Sequence, residues 1–190
     1  MIIQDISFVL RDGRSALLRS PRAEDAPEML AFFTRASGET EFLLSDPETC
    51  RDYSVEREET LLRELGEAED AAMLACLVDG KIVGNCQIAI LKGRKQRHRA
   101  TVAIAILREY WGQGIGTRMF RELIRLAEER EELIQLELTF IEGNSRARAL
   151  YEKMGFRITG VKPNAFRLTD GSLRGEYTMV KPLTEKGGVK

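Results

Sequence analysis

The sequence of 190 residues has one histidine, three cysteines and no long apolar segment, and each scarcity removes a class of protein. With His98 alone, a Ser-His-Asp mechanism would have to use that residue as its base, and no nucleophile-elbow pattern accompanies it. Cys50, Cys76 and Cys86 are odd in number and have no close pairwise spacing. This pattern indicates reduced thiols rather than a disulfide framework or a zinc site, and we expect no bound metal.

Membrane and polyanion partners are also disfavoured. No apolar run approaches the ~20 residues that cross a bilayer, and residues 1–5 lack the regions of a signal peptide. The 29 Lys and Arg residues nearly balance the 30 Asp and Glu residues, and the net charge is −1. We therefore expect a cytoplasmic protein without nucleic-acid or membrane partners. The length predicts a single domain over 1–190, with a loose tail at 184–190.

Apolar periodicity and turn residues predict the element order ββαα-ββ-β-α-β-α-ββ, which is typical of a mixed α/β fold. The segment 98–107 is apolar with little alternation, which indicates a central strand covered on both faces. Hairpin turns are predicted at 11–14, 79–80 and 170–171, helices at about 27–36, 54–65, after Gly116 and at 145–154, and a loop at 37–47.

The most informative segment runs from Ile104 to Arg118, where glycines at 112, 114 and 116 separate a strand-like run from an amphipathic helix. Glycines let a turn adopt conformations that are closed to other residues and bring backbone N–H groups close to an anion. The following helix directs the positive end of its dipole to the same point. The segment therefore predicts a pyrophosphate site; the alternative is a tight strand-to-helix turn without a ligand.

The spacing of residues after the glycines excludes two kinds of nucleotide-binding loop. A Walker loop requires Lys and then Ser or Thr after its last glycine, whereas Gly116 is followed by Thr117 and Arg118. A Rossmann fingerprint requires its third glycine three residues after the second, and Thr117 and Met119 occupy the places that it could take. The predicted anion therefore belongs to another kind of cofactor.

Taken with 136–140, Asn144 and 149–156, this segment resembles the GCN5-related N-acetyltransferase superfamily. Residues 113–116, Gln-Gly-Ile-Gly, match the core of its pyrophosphate-binding motif, and residues 144–156 match its second motif, ending in Leu-Tyr-Glu-Lys-Met-Gly-Phe. One departure is Trp111, which stands where the family usually has Arg or Gln. The resemblance implies a mixed, mostly antiparallel central sheet with flanking helices and a splayed pair of central strands. It also implies acetyl-CoA as co-substrate, and because many relatives dimerise we expect a homodimer.

The resemblance further implies which residues contact the cofactor. The backbone of the strand end would hold pantetheine, and the amides of the glycine turn would hold the pyrophosphate. Arg118 would reach a phosphate or remain an exposed helix arginine, and Asn144 would contact the cofactor, cap a helix, or do both. The predicted cofactor-binding set is Ile104, Ala105, Ile106, Leu107, Trp111, Gly112, Gln113, Gly114, Ile115, Gly116, Thr117, Arg118, Asn144, Arg146 and Tyr151.

Tyr151 is the predicted general acid, because helical spacing lets its ring pack on the core while its hydroxyl reaches the splayed gap. The alternative is a buried tyrosine without a reactive partner. Glu39 and Glu41, in the predicted loop, are candidates to attract an ammonium group or act through water, with solvated carboxylates as the alternative. His98 lies in the basic segment 92–99, which is typical of a solvated loop or an anion-facing patch.

These patterns predict acetyl-CoA-dependent N-acetylation of a primary amine by direct attack in a ternary complex. The C-terminal segment 170–180 resembles that of members that acetylate small molecules and amino acids, so we expect a small-molecule amine acceptor such as an amino acid. Two alternatives stay open. One is a catalytically silent acyl-CoA-binding or sensing module, and the other is a protein N-terminal acetyltransferase.

Overall fold

The computed structural model describes residues 2–44, 48 and 53–183, and their elements follow the predicted order. Cys50, part of the predicted 37–47 loop and the predicted tail at 184–190 lie outside the described residues. The strands are β1 (Ile6–Val9), β2 (Ser15–Arg19), β3 (Ala71–Val78), β4 (Lys81–Ile90), β5 (Arg99–Ile106), β6 (Gln135–Ile141), β7 (Arg157–Arg167) and β8 (Leu173–Pro182). The helices are α1 (Ala26–Glu39), α2 (Val55–Glu67), α3 (Ile115–Glu128) and α4 (Ser145–Lys153), and 3-10 turns lie at Ala23–Asp25 and Arg108–Tyr110.

The strands are hydrogen-bonded in the order β1-β2-β3-β4-β5-β6-β8-β7. β5 and β6 run parallel and are paired at three positions, from Arg99 opposite Gln135 to Thr101 opposite Glu137. β6 pairs in an antiparallel ladder with β8 as far as Ile141 opposite Glu176. A parallel pair that is joined only at its N-terminal ends is the splayed pair that the family resemblance implies. The mixed α/β fold is therefore confirmed.

The chain divides into two compact units. The first consists of Met1–Gln87 and Ile104–Met119, and the second of Ile88–Ala103 and Phe120–Lys190. Apolar side chains that are removed from water stabilise the fold. The fully buried ones include Leu18, Met29 and Leu74 in the first unit, and Phe120, Leu136 and Met179 in the second.

The tight hairpins form where turn chemistry predicts them. Asp79 and Gly80 join β3 to β4 with φ angles of 50° and 75°. Two successive positive φ angles define the hairpin turn whose twist matches the flanking strands, and an Asp-Gly pair is preferred there. β1 pairs with β2 across the predicted turn at 11–14, and β7 pairs with β8 across the one at 170–171.

Two local predictions are wrong. The sequence predicts that α1 ends near Ala36, but the helix continues to Glu39, because the Ser37 hydroxyl donates a 2.7 Å bond to the Phe33 carbonyl and Arg35 pairs with Glu39 one turn away. Glu39 is thus helical, not part of a loop. The sequence also predicts that β5 is covered on both faces, but Thr101 and Ala103 are exposed on it. Small side chains lose little by such exposure, so apolar composition alone does not indicate two covered faces.

Neither of the two described cysteines forms a disulfide, and both are buried. Cys76 in β3 and Cys86 in β4 have no measurable exposure. Burial raises the pKa of the Cys76 thiol to about 12, because the charged thiolate is poorly solvated in the core. Within the ranges 2–44, 48 and 53–183, no helix is both long and apolar enough to cross a bilayer.

Candidate functional site

The glycine turn joins the end of β5 to the start of α3 within the first unit. Gly112 and Gly114 have φ angles of 79° and 94°, a conformation that other residues rarely adopt. A Cβ atom at either position would meet no heavy atom within 4 Å, so the backbone conformation, not a lack of space, requires glycine there. Gly116 differs, since it is buried in the first turn of α3.

The first turn of α3 presents backbone donors to this segment. The amide of Arg118 donates a 3.1 Å bond to the Gly114 carbonyl, as the helix pattern begins. The amides of Ile115, Gly116 and Thr117 precede that bond, and helix geometry gives such first-turn amides no partner within the helix. Together with the dipole of a 14-residue helix, they form an electropositive end that suits a phosphate group.

The turn between β1 and β2 supports the glycine turn from one side. The Asp12 amide donates a 3.2 Å bond to Oε1 of Gln113, and the Arg14 guanidinium lies 5.0 Å from the centre of the Tyr110 ring. Arg14 also pairs with Asp12 at 2.7 Å and holds the pKa of that carboxyl below its usual value. The side chain of Gln113 is thus engaged with the protein, which no local sequence signal indicates because its partner is 101 positions away.

Trp111, the departure from the family pattern, acts on the protein's own backbone. Its indole Nε1 donates a 2.8 Å bond to the Ile106 carbonyl, and the Arg108 guanidinium lies 5.6 Å from its ring centre. The Leu107 amide donates a 3.0 Å bond to the Val83 carbonyl. Two backbone groups of the predicted pantetheine strand, the Ile106 carbonyl and the Leu107 amide, therefore already have protein partners. The predicted contacts of Ile104 and Ala105 stay predictions.

The two candidate carboxylates differ in their surroundings. The Glu39 carboxylate accepts a 2.6 Å bond from the Arg108 amide and a 3.0 Å bond from Nε of Arg35. The Glu39 carbonyl accepts a further bond from the Arg108 guanidinium. Glu41 lies in the exposed turn that follows α1. The structure thus joins Glu39 to Arg108, the residue that follows the predicted pantetheine segment 104–107, whereas a role for Glu41 stays a prediction.

Tyr151 lies on α4 in the second unit and is the buried residue of that helix, with 7% exposure. Its ring meets Phe120 and Phe140 edge-on, at centre distances of 5.5 and 5.7 Å. Burial raises the pKa of its hydroxyl to about 12, because the phenolate would be poorly solvated. Such a hydroxyl keeps its proton at neutral pH, as a general acid must.

Asn144 is the N-cap of α4, and its Oδ1 accepts a 3.1 Å bond from the Ala147 amide. This confirms the capping role expected from sequence, while its cofactor contact stays a prediction. Arg146 in the first turn of α4 is exposed, and Thr117 and Arg118 on α3 are half-buried. In the second unit Asn144 therefore positions the helix that carries Tyr151.

His98 and the basic segment 92–97 are the remaining candidates from the sequence. Residues 92–97 are exposed, and the carbonyl of His98 accepts a 2.9 Å bond from the Ile134 amide at the start of the β5–β6 pair. Across the part of the chain that the structure describes, no three His, Cys, Asp or Glu side chains cluster so as to hold a metal ion.

One family model and two sequence relatives match the chain. The family model described as the acetyltransferase (GNAT) family matches residues 40–156. The chain is 27% identical over 109 residues to the L-amino acid N-acetyltransferase AaaT of Escherichia coli (strain K12), which covers 57% of this chain and 66% of AaaT. It is 32% identical over 108 residues to a candidate ribosomal protein bS18-alanine N-acetyltransferase of Bacillus subtilis (strain 168), covering 57% of this chain and 68% of that protein.

One solved structure is similar over most of the chain. The crystal structure of a GNAT-family acetyltransferase from Streptococcus pneumoniae superposes with a TM-score of 0.82 and 29% identity, over 88% of this chain and 99% of that one. The sequence relatives, by contrast, match this chain over about two thirds of their own lengths.

Proposed function

Because the chain belongs to the acetyltransferase (GNAT) family, we propose that it transfers an acetyl group from acetyl-CoA to a primary amine of a small molecule such as an amino acid. The observation that carries the proposal is the glycine turn at the N-terminus of α3. Its two positive φ angles and the first-turn amides of a long helix supply what a pyrophosphate requires. The amine would attack directly in a ternary complex, without a covalent enzyme intermediate.

The residues present fit the cofactor. Open space adjoins Gly112 and Gly114, so a phosphate can approach the backbone closely there. The amides of Ile115, Gly116 and Thr117 would hold the pyrophosphate, and the strand segment 104–105 would hold pantetheine. When bound, acetyl-CoA supplies an acetyl group activated as a thioester.

The transfer forms an N–C bond and breaks a C–S bond, so the amine must lose a proton and the departing sulfur must gain one. Tyr151 is proposed as the donor of the second proton. Its raised pKa keeps it protonated, and its packing against Phe120 and Phe140 restricts the ring. The residue as a whole is 7% exposed.

The acceptor is proposed to be an α-amine. The unperturbed pKa of an α-amine is about 8, against about 10.4 for a lysine side chain, so an α-amine needs much less help from a base. Both oxygens of the Glu39 carboxylate already accept hydrogen bonds, which leaves Glu39 poorly placed as such a base. The names of two relatives support this choice, since one acts on L-amino acids and the other is a candidate for the alanine of a ribosomal protein.

The test is an acceptor panel. The protein is incubated with acetyl-CoA and with the proteinogenic L-amino acids, a polyamine, or a short peptide with an N-terminal alanine, while free thiol and acetylated product are measured. We expect turnover with one or more L-amino acids. Turnover with the peptide alone would favour protein N-terminal acetylation. Tight acetyl-CoA binding without turnover on any amine would overturn the proposal in favour of a silent acyl-CoA-binding module.

Three further expectations are proposals of the same kind. We propose that residues 1–190 work as one catalytic domain, that the chain forms a homodimer, and that it acts in the cytoplasm. Light scattering of the purified protein tests the second, and a mass of one chain would contradict it. Fractionation of cells tests the third.

A further inference from the structure

Glu39, the last residue of α1, is hydrogen-bonded to Arg108, which lies two residues after the end of β5. Glu39 accepts the Arg108 amide at 2.6 Å through its carboxylate and the Arg108 guanidinium through its carbonyl. Arg35, one turn earlier on α1, donates to the same carboxylate at 3.0 Å and pairs with Glu109 at 2.8 Å. These bonds join residues that lie 69 positions apart in the sequence.

The peptide groups at and just after the end of β5 form hydrogen bonds with three different partners. The Ile106 carbonyl is bonded to the indole of Trp111, and the Leu107 amide is bonded to the Val83 carbonyl. The Arg108 amide, bonded to Glu39, completes the series. Three consecutive residues thus each donate or accept one bond that fixes the strand end, and Glu39 supplies the one that is charged.

Both oxygens of the Glu39 carboxylate are used as hydrogen-bond acceptors. One oxygen accepts the Arg108 amide and the other accepts the Arg35 guanidinium. Bonds in which one partner is charged are shorter and stronger than neutral ones, and the 2.6 Å distance is of that kind. The Glu39 carboxylate is therefore a brace, by which we mean that it holds the Arg108 backbone in place.

We propose that Glu39 is a positioning residue for acetyl transfer, acting through the Arg108 backbone to hold the strand end beside the reacting thioester. The inference rests on the proposed function, because that function places the thioester along β5. It replaces the predicted role of Glu39, which is to attract an ammonium group or to act through water. Small displacements of reacting groups cost up to about a hundredfold in rate, so a brace two residues after the end of β5 affects the chemical step.

Two substitutions separate the possible roles. Glu39→Gln keeps a carbonyl oxygen that can accept the Arg108 amide, whereas Glu39→Ala removes both acceptors. The matched control is Glu129→Gln, which removes a similar i,i+4 arginine pair, with Arg125, at the end of α3. kcat is measured at saturating acetyl-CoA and amine, well below the Tm of each variant, together with the KM for acetyl-CoA.

We expect Glu39→Ala to lower kcat by about tenfold or more, with a smaller change in KM, and Glu39→Gln and Glu129→Gln to keep most of the activity. Equal and severe loss in both Glu39 variants would show that the ionised carboxylate itself takes part in proton transfer, and would overturn the proposal. Full activity in Glu39→Ala would also overturn it.

A second measurement does not depend on turnover. Amide hydrogen exchange at Arg108 reports whether its N–H is held, and Trp111, which is the chain's one tryptophan, reports on the same segment by fluorescence. We expect slow exchange in the wild type and in Glu39→Gln, and faster exchange with a shifted emission in Glu39→Ala. Equal exchange in all three would overturn the brace itself. If the wild type acetylates no amine but its Arg108 amide is protected through Glu39, the proposed function fails and the brace stands without a catalytic role.

Discussion

The indole nitrogen of Trp111 donates a 2.8 Å hydrogen bond to the carbonyl oxygen of Ile106. Where the family usually has a flexible polar residue, this chain has a rigid aromatic that ties the glycine turn back to the strand before it. The side chain at position 111 therefore contacts the protein's own backbone instead of facing a cofactor. This bond explains how the chain tolerates tryptophan at the position, because the indole fixes the backbone where a polar side chain would have made a contact.

Trp111→Phe tests the value of that bond. Phenylalanine keeps an aromatic ring beside Arg108 but lacks the N–H donor, so the Ile106 carbonyl loses its partner. We expect the free energy of unfolding to fall by about 1 kcal/mol, which lowers Tm by about 2–4 °C for a protein of this size. Thermal denaturation measures the change, and a Tm equal to that of the wild type would contradict it.

Tyr151→Phe tests the proposed proton donor. The variant keeps the edge-on ring contacts with Phe120 and Phe140 and loses only the hydroxyl. We expect kcat to fall about a hundredfold, within the range of general acid catalysis, with acetyl-CoA affinity nearly unchanged. Tyr177→Phe is the matched control, since Tyr177 also packs on Phe140, at 5.3 Å, and should remain active without its hydroxyl.

The pH dependence follows from the same residue. With a pKa of about 12, Tyr151 stays protonated throughout an ordinary assay range. The rate should therefore rise with pH as the amine loses its proton, and should not decline near pH ~10, where an unperturbed tyrosine ionises. A decline there that Tyr151→Phe abolishes would mean that the hydroxyl ionises far more easily than its burial implies.

Gly114→Ala tests the conformation of the glycine turn. Its φ of 94° is strained for any residue with a Cβ, so we expect a loss of about 1–2 kcal/mol in stability, and a fall of about tenfold in acetyl-CoA affinity as the amides shift. Gly66→Ala is the control. Gly66 lies in α2 with open space beside it and no positive φ, so alanine should stabilise the protein by about 0.5–1 kcal/mol. Calorimetry gives both values, and unchanged affinity in Gly114→Ala would exclude the turn as the phosphate site.

Glu58→Gln tests a buried carboxylate on α2. Glu58 is 2% exposed, its Oε1 has no hydrogen-bond partner, and burial raises its pKa above the usual value. At Glu58 the folded state therefore binds a proton more tightly than the unfolded state, so the contribution of this residue to stability is most favourable below about pH 4.5 and falls as pH rises through its raised pKa. At pH values above the raised pKa of Glu58, Glu58→Gln should be more stable than the wild type by about 1–3 kcal/mol.

The advantage of Glu58→Gln should shrink as the pH falls toward about 4, because protonated Glu58 is then as neutral as the amide. Glu64→Gln, an exposed position on the same helix, should change stability little at any pH. Thermal unfolding across this range measures both variants. An advantage that does not vary with pH would mean that the two side chains differ in packing, not in charge.

Sequence patterns predict the features that depend on neighbouring residues. The glycines after β5 predict the turn, Asn144 predicts the cap of α4, and Asp79-Gly80 predicts a hairpin, because each signal and its structure lie within a few positions. The motif then indicates the family. In these parts of the fold and site, the conformation is determined by residues that are close together in the sequence.

The interactions that set the roles of side chains cannot be predicted in this way. The sequence places Glu39 in a loop because nothing near it shows that Arg108, a distant residue, donates to it at the end of α1. The partner of Gln113 lies in the first hairpin, and the partner of Trp111 is a backbone carbonyl with no sequence signature. Tertiary proximity, which periodicity does not encode, decides each of these cases.

The buried thiols have a practical consequence for measuring the reaction. A thiol with a pKa of about 12 is ionised in only about one molecule in ten thousand at pH ~8, and the thiolate is the form that reacts with disulfides and thiol reagents. Cys76 should therefore neither capture the released coenzyme as a mixed disulfide nor consume the reagent that detects it. Cys86 is equally enclosed, so these two thiols should add little to the colour that develops in a thiol-release assay.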